Sequence, residues 1–92
     1  MREKMQFLGE IAGLNERLQA DRLYEFVQHE IESSQLTLAA KARAVEEAAG
    51  DEAKIASLYI KHRVRMLKDE LTAFTLAERK KEEDRIAFDQ RA

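Results

Sequence analysis

The sequence predicts an all-α protein: a long antiparallel helical hairpin, coiled-coil-like in its packing, with a short helix ahead of it and dimerisation into a four-helix bundle. Three observations carry the prediction. Proline is absent from the 92 residues and glycine occurs only three times, while the strong helix formers Ala, Leu, Glu, Lys, Arg and Gln are abundant. One firm stop-and-restart signal, Gly50 followed by Asp51, stands near the middle. On either side of it, apolar residues recur at helical spacing in two series that mirror each other.

The first helix is expected over about residues 2–12, where Met5, Leu8, Ile11 and Ala12 fall on one side. Gly13 can then end it and Asn15 can cap the next helix, which makes a break near Gly13 plausible. Gly9 and Gly13 also match a GxxxG pattern, a signal of little specificity outside membranes. From Asn15 to Ala49 there is neither Pro nor Gly. The simplest reading is one helix over about 15–49, about 50 Å long, with a soft spot at Ser33, Ser34 and Thr37. The turn follows at 50–51, with Gly50 left-handed and Asp51 as N-cap. Glu52 then opens a third helix over about 52–88, whose stretch from Glu78 to Arg85 (ERKKEEDR) is wholly charged. Together they read as a single all-α domain, 1–92.

A hairpin turning at 50–51 opposes positions whose numbers sum to about 101 or 102. The apolar stripes then pair as Val45 with Ala56, Ala42 with Ile60, Leu38 with Val64, Ser34 with Leu67, Ile31 with Leu71 and Val27 with Phe74. Arg17 to Arg22 would lie near Lys80 to Asp84, so that end should open or be completed by a partner.

This pairing leaves Phe7, Leu8, Phe26, Leu36, Ile55, Leu58, Met66 and Leu76 unused, and two helices cannot bury two apolar faces by themselves. Leaving six or eight such side chains in water forgoes on the order of 10 kcal/mol. A folded-back N-terminal helix, a second copy of the chain or a dedicated protein partner could cover them, and the symmetric dimer is the preferred expectation. The expected protein interface is therefore Phe26, Leu36, Ile55, Leu58, His62, Met66 and Leu76, with His62 half-buried within it.

Net charge is −2, and the middle of the chain is its basic part. Lys54, Lys61, Arg65 and Lys68 share one helix face around the run Lys61, His62, Arg63, and Lys41 and Arg43 lie across the turn. Such a stripe can track phosphates. Against that stand Glu46, Glu47, Asp51 and Glu52 at the same end, a pI of about 5.7 and no interleaved aromatic residue. A solvated face or electrostatic contact with an acidic partner is the better expectation. His29 with Glu25 and Glu32 could approach a metal but lacks a fourth ligand, so neither metal nor cofactor is expected. No nucleophile–base pair, paired carboxylates or phosphate-cradling glycine loop is present, which argues against an enzyme. The sequence has no cysteine and no apolar run long enough to span a bilayer, so a cytoplasmic protein without a membrane partner is expected.

These readings converge on a small non-enzymatic protein-binding module of the adaptor, chaperone, anti-activator or assembly-factor kind, binding itself and another protein. A nucleic-acid-binding accessory protein using the Lys54–Lys68 face is the alternative. A purely structural coiled-coil spacer is the third.

Overall fold

A computed structural model describes residues 4–91, with side chains placed to residue 88. The described residues form four α-helices and no strand: α1 (Lys4–Ile11), α2 (Glu16–Glu32), α3 (Leu38–Ala48) and α4 (Ile55–Arg91), with a 3-10 turn (Glu52–Lys54) before α4. The protein is all-α, as predicted. The predicted first-helix residues 2 and 3 lie outside the described residues.

The break after α1 falls where Gly13 and Asn15 signalled it, by different chemistry at its first half. Gly13 does not adopt a positive φ. Instead the Gln19 side-chain amide reaches back and donates to the carbonyls of Ile11 and Ala12 at 3.2 and 3.3 Å, satisfying groups that the helix end orphans. Asn15 caps α2 as expected, its side chain accepting from the Leu18 amide at 3.0 Å.

The single helix expected over 15–49 is instead two. Ser33 turns its hydroxyl onto the His29 and Glu30 carbonyls, and Ser34 takes the left-handed conformation at φ 58°. The Ser34 amide donates to the Ile31 carbonyl and the Gln35 amide to the Glu30 carbonyl. That is a Schellman ending with serine in the place usually held by glycine. A non-glycine residue there costs on the order of 1 kcal/mol. The contacts made by the following segment offset it, since the Thr37 amide, at the N-cap of α3, donates to the buried Tyr59 hydroxyl at 2.9 Å.

The second turn is placed as predicted but begins one residue early. Ala49 is already left-handed at φ 50° and Gly50 continues at φ 93°. Asp51 then accepts from the Ala53 amide at 3.1 Å, and the chain enters α4 through the 3-10 turn.

The interruption at 33–37 resets the helical phase and so overturns the predicted pairing beyond it. Ala40, Ala44 and Ala48 are buried, whereas Leu38, Ala42 and Val45 face solvent, Leu38 at 82% exposure. Thr37 meets Tyr59, nearer the turn than the predicted register allows, and Glu47 meets Lys61 and His62, farther from it. α3 is therefore swung across α4 instead of lying along it, and small residues at the crossing admit the close approach. α2 does run against α4 in the opposite sense, but Glu30 meets Arg63 and Leu23 lies beside Leu71. The expected partner of Leu71 was Ile31, about two helical turns from Leu23.

The core draws Phe7, Leu8 and Ile11 from α1, Leu23 and Val27 from α2, Ala40 and Ala44 from α3, and Tyr59, Val64, Leu67 and Leu71 from α4. α1 folds back to cover part of the face that the sequence left open. Phe7 stacks on Phe26 with ring centroids 4.6 Å apart, and Lys4 donates to Glu70 at 3.0 Å. The molecule measures 62 × 24 × 21 Å, and its long axis is essentially the span of α4, about 55 Å for its 37 residues.

Candidate functional site

Where α2, the 33–37 segment and α4 meet, a polar cluster sits inside the body. Arg63, 5% exposed, donates from Nε to both Glu30 carboxylate oxygens at 2.9 and 3.2 Å and from a terminal nitrogen at 3.0 Å. The Tyr59 hydroxyl donates to the same carboxylate at 3.0 Å while accepting from the Thr37 amide. Burial pushes the Tyr59 phenol above its ordinary value of 10, and the Glu30 charge adds to the effect. Both members of the ion pair are held by multiple hydrogen bonds, so the arrangement clamps elements together and presents no open face to a substrate. Sequence reading placed Arg63 in a surface basic run. The signal that could have separated it is its spacing: Arg63 stands four residues from Tyr59 and from Leu67, on the buried face.

A second cluster lies on the surface beside the turn. Glu47 accepts from Lys61 at 2.9 Å and pairs with His62 Nε2 at 2.5 Å. The Lys61 hydrogen bond, followed by that of His62, holds the Glu47 carboxyl below the usual carboxylate value. Of the predicted electrostatic residues, Lys61 is thus occupied by Glu47, and Lys54 lies 3.8 Å from Asp51. Arg65 and Lys68 are exposed. The predicted stripe is divided between two exposed ion pairs and two solvated side chains.

The predicted interface residues divide likewise. Phe26, Ile55, Leu58 and Met66 are half-buried and pack against the core, His62 is half-buried beside Glu47, Leu36 lies at the surface and Leu76 is 57% exposed. His29 is exposed and its neighbours are engaged elsewhere, Glu25 with Arg22 and Glu32 with Gln28. Among the described residues, no group of three or more His, Asp or Glu side chains could hold a metal ion, and no helix is long and apolar enough to cross a membrane.

The remaining large feature is the far end of α4. Tyr59, Val64, Leu67 and Leu71 of this helix are buried, and Phe74 and Thr75 are half-buried, but every residue from 76 to 88 is exposed. Beyond the packed body α4 continues as a bare helical arm that carries Leu76, Ile86 and Phe88, the last at 74% exposure. A shallow groove lined by Ala12, Gln19, Thr72, Thr75 and Leu76 lies at the root of the arm. Sequence reading recognised the charged run there and the opening of that end, and Leu14 packs on the body. Compared with known proteins, the chain matches no family model, no curated protein and no solved structure.

Proposed function

We propose that the protein is a non-enzymatic, cytoplasmic protein-binding module of the adaptor or assembly-factor kind, in which the packed body holds out the arm of α4 to receive another helix. The observation that carries this reading is the contrast along one helix between its buried half and residues 76–88, which are solvated on every side. A helical stretch of that length has marginal stability in water and gains its stability from packing. Leu76, Ile86 and Phe88 are exposed apolar side chains on different sides of the arm, and bundle completion, which places helices on more than one side, is the matching mode of recognition. The opposed pairing of α2 and α4 is the hairpin-like, coiled-coil-like element that a partner would extend into a bundle. The burial of Arg63 against Glu30, the acidic residues beside Lys61 and Lys54 and the net charge of −2 favour this reading over a phosphate-tracking face.

Photo-crosslinking residues placed singly at Leu76, Ile86 or Phe88 in the full chain test the reading in cells. Adducts to protein are expected from the arm positions and not from Ser57, an exposed position near the turn. No adduct from any arm position would contradict it.

A further inference from the structure

We infer that the chain has a second packing, in which the break at 33–37 straightens, α2 and α3 join into one helix, and that helix lies antiparallel along α4. The inference is independent of what the arm binds.

The first observation is a match in the sequence that the kinked structure leaves unused. The stripe Val27, Ile31, Ser34, Leu38, Ala42 and Val45 opposes the α4 stripe that runs from Phe74 back to Ala56, at position sums of 101 or 102 in every pair. At about 100° per residue each stripe stays within about 80° of arc, so a single seam can hold the whole of both. α4 already turns this face inward, with Val64, Leu67 and Leu71 buried, whereas Leu38 is 82% exposed and Val45 47%. The straight packing gives those two a cover within the same chain, Val64 for Leu38 and Ala56 for Val45.

The second observation is that the kink is strained and that straightening it keeps the helix faces in phase. Ser34 holds φ 58° and Ala49, at the far end of α3, φ 50°, while α3 buries only alanines. Glu30 now opposes Arg63 and Leu23 lies beside Leu71, at position sums of 93 and 94. Reaching 101 or 102 is a slide of about seven or eight residues, two helical turns or about 11 Å, which brings the same faces together again. Packed helices switch between discrete seats by steps of whole turns.

α1 favours the kinked packing. Phe7 stacks on Phe26 of α2 while Lys4 reaches Glu70 of α4, and a slide separates these two seats. Glu30 and Arg63 part as well, but each stands at the edge of the straight seam, where water solvates it, so neither charge is stranded. In exchange, Leu38 and Val45 leave water and Ser34 returns to right-handed helix. The slide also carries residues 16–20 to the level of residues 81–86, so the two packings differ in how much of the arm is bare.

The chain has no cysteine, so cysteines introduced at Gln28 and Glu83, both exposed, take spin labels at those two places alone. Pulsed dipolar electron resonance, with excess unlabelled chain so that each distance lies within one molecule, reads the register. The separation along the helix axis is about 11 Å shorter in the straight packing. Ser34→Gly adopts the left-handed conformation freely and is expected to show the long distance alone. Ser34→Leu resists that conformation and sets a large apolar side chain against Leu67. It is expected to bring up the short distance, raising its ratio to the long one on the order of tenfold or more over the wild type, with helix content by circular dichroism retained. Adding Leu38→Asp should remove the short distance, because position 38 is buried only in the straight packing. A Ser34→Leu chain that keeps only the long distance overturns the inference, as does one that loses its helices without the short distance appearing, or a short distance that survives Leu38→Asp.

Discussion

At the scale of single residues, Arg63 shows how one member of a basic run can become the polar centre of a body. Its guanidinium grips Glu30 through three hydrogen bonds, and Tyr59 bridges that carboxylate to the start of α3. Removing one partner strands the other charge in the interior, so Arg63→Ala is expected to lower the unfolding free energy by about 3–5 kcal/mol, read by urea denaturation at neutral pH. That is a large share of what a domain of this size possesses. Tyr59 adds a pH dependence of definite sign. Its pKa is raised in the folded protein, so its contribution is fully present below the unfolded value near 10 and is lost as pH rises through the folded one. Denaturation between pH 8 and 11 should therefore show a steeper alkaline loss for the native chain than for Tyr59→Phe. Equal slopes would mean that the phenol is solvated like any surface tyrosine.

Among the elements, the caps at Asn15 and Asp51 were legible because a side-chain acceptor beside orphaned amides has few other uses. The end of α2 showed only as a soft spot at Ser33, Ser34 and Thr37, not as a break. Ser34 takes a backbone conformation that glycine adopts without penalty, and nothing local distinguishes this serine from one inside a helix. What stabilises the break is distant in sequence, the Tyr59 hydroxyl waiting for the Thr37 amide. Because the interruption is short, the apolar spacing on its two sides still reads as one stripe. That is why Leu38 and Val45 looked internal while the alanines at 40, 44 and 48 bury themselves. Stability measurements separate the two registers. Ala44→Leu should cost about 1–3 kcal/mol by overpacking the crossing of α3 and α4, whereas Leu38→Ala should change stability by less than about 0.5 kcal/mol. The predicted pairing of Leu38 with Val64 requires instead a loss of about 2–5 kcal/mol for Leu38→Ala. Cover for Phe26 was foreseen as one of three alternatives, and α1 supplies it through Phe7. Sequence preferred a second copy of the chain for that face because apolar periodicity counts the area to be buried without telling which segment buries it.

On the scale of the whole molecule, a body folded around α4 and an arm beyond residue 75 make one helix serve two purposes. The body-side half is fixed by packing; the arm is helical and each of its residues from 76 to 88 is exposed. Such a stretch opens locally at little cost, and a binding event would stabilise it. Hydrogen exchange along α4 of the purified chain, followed by mass spectrometry, tests this division most directly. The amides of residues 76–88 should exchange far faster than those around Val64 and Leu67. Protection that is uniform along α4 would contradict the account.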